Sequence, residues 1–101
     1  MRTISLRIKQ GHYLEKVVGL IGRKKPYALF FKTRFGIHTF GVTFPIDVVI
    51  LDNQQRIVKM KTVTPNLVFF WNPVFDGVLE LPTGTIEKEH MQVGDTIRFT
   101  Y

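Results

Sequence analysis

Two ionisable residues set in apolar text mark where this chain could do chemistry. His38 stands between Ile37 and Thr39, and Asp47 follows Phe44-Pro45-Ile46 at the head of the apolar run Ile46–Leu51. A carboxylate in such a run is costly unless it is paired or well hydrogen-bonded. Two roles compete for Asp47. It can hold a corner by accepting backbone N–H bonds, or by pairing with a basic side chain or with His38. It can also act as a general base or polar anchor in a cleft, its pKa moved by burial. His38 poses the same choice, between a neutral core histidine and the imidazole of an acid–base pair with Asp47 across adjacent strands.

Such a pair lacks a nucleophile. Thr39, Thr43 and Thr62 read as ordinary strand residues, and no G-x-S-x-G is present. The chain has no cysteine, which excludes disulfides, thiolate metal sites and cysteine nucleophiles. His12, His38 and His90 have no short mutual spacing, H-E-x-x-H is absent, and the glycines match neither the Walker A nor the dinucleotide pattern. The residues therefore name no catalytic set, no metal centre and no cofactor. The reading they favour is a non-catalytic binding or accessory module with a polar cleft at His38, Thr39, Phe40 and Asp47, taking a small ligand or a protein partner. A small hydrolase or isomerase-like enzyme using Asp47 and His38 is the alternative.

Charge and apolar clustering suggest partners. The net charge is +6, divided as +9 over residues 1–61 and −3 over residues 62–101. Arg23-Lys24-Lys25 with Lys32, Arg34, Lys59 and Lys61 could form a nucleic-acid face beside Tyr27, Phe31 or Phe35. Those aromatics sit at core-like positions, where packing is their default use, so nucleic acid is disfavoured as a partner. Leu67–Trp71 holds five large apolar residues between Pro65 and Pro73. As a strand it must turn alternate members outward, leaving an exposed apolar patch that homodimerisation through Leu67-Trp71 would cover.

The elements that position these residues are short. Thr3–Lys9 alternates, with Ile4, Leu6 and Ile8 on one face, as a half-buried strand does. Leu14, Val17, Val18 and Ile21 give Tyr13–Ile21 a two-turn helical stripe, stopped by Gly22 and Pro26. Tyr27–Phe31 and Ile46–Leu51 are apolar on both faces and read as core strands, while Ile37–Phe40 reads as a short one. Asp52-Asn53-Gln54-Gln55 connects into a strand over Arg56–Val63, and Gly77–Leu81 is another strand. Ile86–His90 reads as a short helix with Thr85 as its N-cap. Gly94-Asp95 turns into a last alternating strand with Ile97, Phe99 and Tyr101 inward. The sum is one domain over residues 1–101, mainly β. It predicts a compact antiparallel β-barrel or sandwich of about seven short strands with one or two short helices. No window reaches the ~18 apolar residues of a membrane span. MRTISLRIKQ lacks a signal-peptide apolar run, so the expected location is cytoplasmic.

Five ordered pieces carry a family resemblance: Gly19-Leu20-Ile21-Gly22-Arg23; His38-Thr39-Phe40-Gly41-Val42 with Phe44-Pro45-Ile46-Asp47-Val48-Val49; Leu51-Asp52; Val78-Leu79-Glu80-Leu81-Pro82-Thr83-Gly84-Thr85; and Val93-Gly94-Asp95. Together they resemble the bacterial and archaeal family catalogued as domain of unknown function 192. The resemblance implies a small β-rich domain with short helices and brings no activity. The chain departs from the family pattern at Val42, where methionine is common, and at Asn53-Gln54-Gln55, where the hairpin usually holds a glycine.

Overall fold

Ile46–Leu51, apolar on both faces, becomes a fully buried interior strand of the largest sheet. The computed structural model describes residues 2–7, 9–10, 28–34, 36–40 and 42–100. In chain order the strands are β1 (Thr3–Arg7), β2 (Lys9–Gln10), β3 (Leu29–Lys32), β4 (Ile37–His38), β5 (Ile46–Leu51), β6 (Ile57–Val63), β7 (Val68–Phe69) and β8 (Gly77–Pro82). A one-turn helix α1 (Thr85–Lys88) and a last strand β9 (Thr96–Thr100) follow. The expected helix over Tyr13–Ile21, the basic run Arg23-Lys24-Lys25, His12, Tyr27, Phe35 and Tyr101 lie outside the described residues.

Three layers result. The five-stranded sheet runs β2-β3-β8-β5-β6, and the ribbons β4-β7 and β1-β9 lie apart from it. Because neighbouring residues on a strand face opposite ways, β5 splits its side chains between two cores. Ile46, Val48 and Ile50 pack with Ile37, Phe69 and Trp71 beneath the β4–β7 ribbon. Val49 and Leu51 pack with Ile4, Ile97, Leu81 and Met91 beneath β1, β9 and α1. The sheets are not closed into a barrel, so the β-rich fold is the sandwich-like form of the expected architecture.

Two sequence expectations change. The fold is not wholly antiparallel: β1 pairs with β9, and β2 with β3, in parallel. Parallel pairing of the chain's two end strands is set by the apolar surface both must cover, which a strand-by-strand reading does not contain. Thr85 is not the N-cap of α1; that position is Gly84, at φ 91°, and the Thr85 hydroxyl donates to the Pro82 carbonyl at 2.6 Å. Among the described residues no helix is long and apolar enough to cross a membrane.

Candidate functional site

Asp47 occupies the second position of β5, opposite Thr62 of β6 and Leu81 of β8. Its carboxylate is 1% exposed. Oδ1 accepts the Thr62 hydroxyl at 2.6 Å, and Oδ2 accepts the Ile86 N–H at 2.9 Å. Glycine at position 84 offers no side-chain acceptor to the helix start. Asp47 supplies that acceptor from β5, and it thereby fixes α1 on the sheet.

His38 lies on the other side of the molecule. It pairs with Val68 in β4–β7, whose Ile37 and Phe69 point into the core. The His38 ring is therefore turned outward, half-buried, and stacks on Phe40 with centroids 5.1 Å apart and planes 23° apart. Its Nδ1 accepts the Phe40 N–H at 3.3 Å, which leaves Nε2 as the donor of the neutral ring. Thr39 is fully buried and ties the ribbon to β6 and β7. Its hydroxyl donates to the Thr64 carbonyl at 2.8 Å and accepts the Leu67 N–H at 2.9 Å, while its own N–H donates to Leu67 O at 2.9 Å.

The structure thus brings His38, Thr39 and Phe40 together and leaves Asp47 apart from them. Asp47 shares the face of β5 that bears Val49 and Leu51, against α1, whereas Ile37 packs on the opposite face with Val48 and Ile50. The expected neighbourhood of His38 and Asp47 across adjacent strands does not form, because β4 pairs with β7 while β5 pairs with β6 and β8.

Around the His38–Phe40 stack the ribbon is apolar toward solvent. Phe69 and Trp71 point inward and Val68 and Phe70 outward, as alternation requires, while Leu67, which precedes β7, is exposed as well against that alternation. Phe40 is 51% exposed and Phe70 63%. The Phe70 ring lies on Gly36: a Cβ there would stand 2.7 Å from Phe70 Cδ1 and 2.8 Å from Phe69 O, and Gly36 has φ +129°. Lys59 closes one rim, its Nζ donating to Phe70 O at 3.0 Å and lying 5.0 Å from the Phe69 ring centre. Phe31, one of the aromatics considered for stacking nucleobases, is buried in the core and cannot serve.

Other polar residues escaped the sequence reading. Glu80 is 1% exposed and stands between Leu29 and Val48 in the sheet register. Its signal is a charge inside the apolar run Val78–Leu81. Asp95 is buried and accepts the Arg2 N–H at 3.2 Å and the Gln92 N–H at 3.0 Å, joining the start of β1 to the turn before β9. A groove of about 250 Å³ lies at the β5–β6 hairpin, lined by Asp52, Asn53, Gln54, Arg56, Val74 and Phe75. Burial works to raise the Asp52 pKa there, but N–H bonds from Arg56 and Gln54 and the Arg56 guanidinium outweigh it and hold the carboxyl below its ordinary value.

Comparison with known proteins agrees with the fold. Residues 4–99 match the family model DUF192, described as Uncharacterized ACR, COG1430. The chain belongs to this uncharacterised family. The UPF0127 protein PH1112 of Pyrococcus horikoshii is 30% identical over 93 residues, covering 86% of this chain and 81% of the relative. Two crystal structures are similar at a TM-score of 0.69 and 15% identity. A protein of unknown function from Novosphingobium aromaticivorans covers 91% of this chain and 70% of its own. A putative transcription regulator from Sinorhizobium meliloti covers 86% and 76%. At that identity the likeness is one of fold, and none of these proteins brings an activity to the site.

Proposed function

We propose that this DUF192 protein is a binding module whose ligand face is the outer side of the β4–β7 ribbon. The single observation behind this reading is the exposed cluster of Phe40, Leu67, Val68 and Phe70 beside the His38–Phe40 stack. Contiguous apolar side chains rimmed by polar groups cost solubility, and they are characteristic of interaction surfaces. In this reading Phe40 and Phe70 are the apolar anchors, and His38 offers one ring donor. Thr39 holds the turn rigid, so little order need be gained on binding. Asp47 acts from behind the sheet as a structural anchor. The acid–base alternative gains nothing from the geometry, since Asp47 spends both oxygens on Thr62 and Ile86.

Titration of the 15N-labelled chain with a library of small aromatic and aliphatic fragments tests the reading. Shift changes should centre on His38, Phe40, Leu67, Val68 and Phe70. Changes centred on Asp52–Arg56 and Val74–Phe75 would move the site to the hairpin groove and overturn it.

A further inference from the structure

Resting on that reading of the ribbon face, we infer that its occupant is an acidic polypeptide segment carrying apolar anchors. The rim is cationic. Lys59 sits against Phe69 and Phe70. Lys61 shares its face of β6, because Lys59 and Lys61 stand opposite Ile50 and Val48, both of the core beneath the ribbon. On the other flank, Arg34 Nη1 reaches the Pro73 carbonyl at 3.1 Å, close to Gly36, on which the Phe70 ring lies. The carboxylate near these cations is Asp76, half-buried and 3.5 Å from Arg34. The other described carboxylates are placed elsewhere: Asp47, Glu80 and Asp95 are buried, Asp52 is held by Arg56, and Glu87 and Glu89 belong to the α1 region on the far side. Among the described residues, two lysines and one arginine against a single carboxylate leave the rim positive.

Charge decides between occupants. A second copy related by a two-fold axis would set this face on itself, with Lys59, Lys61 and Arg34 opposed to their own kind, and like charges across an interface disfavour it. A lipid surface takes apolar chains that reach into the acyl boundary. Here Leu67 is 44% exposed and Val68 51%, half sunk beside the packed Ile37–Phe69 pair, a shallow relief suited to side chains of another protein. Such a partner would place Asp or Glu over the rim and one or two apolar side chains over Phe40 and Phe70.

The test uses two synthetic octapeptides, one alternating glutamate with phenylalanine and the other lysine with phenylalanine. Their binding to the full chain is followed by fluorescence anisotropy and by amide shifts. The glutamate peptide should bind about ten-fold tighter at low ionic strength, and its advantage should shrink as salt screens the rim. Lys59→Glu and Lys61→Glu should each cut that advantage several-fold. Lys61 is exposed, so its variant keeps the fold if Lys59→Glu does not. Equal affinity for both peptides, with shifts still on the ribbon, overturns the acidic partner and leaves the binding face standing. Shifts that miss the ribbon overturn both. Binding to phosphatidylserine vesicles without peptide preference, or a dimer abolished by Phe70→Ser, would also overturn the inference.

Discussion

Asp47 caps helix α1 from 39 residues away: its Oδ2 accepts the Ile86 N–H at 2.9 Å, where Gly84 has no side chain to do so. The other oxygen is held by Thr62 at 2.6 Å. Asp47→Asn keeps the shape, loses the charge and turns a donor toward one of these two donors. It should lower stability in urea by about 2–3 kcal/mol, the range for bonds to a buried charged acceptor. Thr62→Val should lose about 1 kcal/mol, since it removes one bond and leaves the cap. An Asp47→Asn protein as stable as wild type would mean that the carboxylate is kept for something other than the fold.

Gly36 is required twice over, by its φ of +129° and by the Phe70 ring and Phe69 carbonyl that crowd its Cα. A swinging ring could relieve one contact, but the backbone carbonyl cannot move so easily. Gly36→Ala should cost about 2 kcal/mol or more in thermal unfolding and shift the Phe70 ring resonances. Unchanged Phe70 shifts would show that the ring does not rest on Gly36.

Gln55 takes the left-handed conformation, φ 62°, in the β5–β6 hairpin. A glycine removes the clash of its Cβ, at the cost of a freer unfolded chain. Gln55→Gly should therefore raise stability by about 0.5 kcal/mol, read as a higher urea midpoint with an unchanged slope. A lower midpoint would contradict the turn geometry.

Asp52 contributes stability that depends on acid. Its carboxyl lies below the ordinary value of 3.8 because bonds from Arg56 and Gln54 overcome the opposing effect of burial. A depressed carboxylate stabilises fully above the unfolded value, and that contribution fades as pH falls through the folded one. Asp52→Asn should thus unfold more easily than wild type near neutral pH, with the gap closing below about pH 4. A gap that stays constant into acid would show that the ion is not the source.

Much of the scaffold was readable because burial leaves a period. Ile4 and Leu6 alternate with Ser5 and Arg7, and Ile97 and Phe99 alternate with Arg98 and Thr100, so β1 and β9 follow from the text. The apolar text of Ile46–Leu51 likewise marks a strand covered on both sides. The same rule marks Val68 and Phe70 as the outward members of the Leu67–Trp71 stretch, whereas Leu67, ahead of β7, is exposed against it. What the text does not hold is pairing. His38 and Asp47 are close in sequence and both anomalous, which invited a dyad, yet the choice of β7 as the partner of β4 separates them. The helix start misled for a related reason: Thr85 is the right residue type for a cap, but the acceptor comes from β5 through tertiary packing.

The most direct test of the binding face repeats the amide-shift titration with fragments on Phe70→Ser beside wild type. Phe70 is 63% exposed, so the exchange should leave the unfolding midpoint nearly unchanged. The account predicts that wild-type shifts at His38, Phe40 and Val68 collapse in the variant while its fold is retained. Shifts of equal size at those residues in both proteins would contradict it, and the exposed ribbon would then not be where this protein binds.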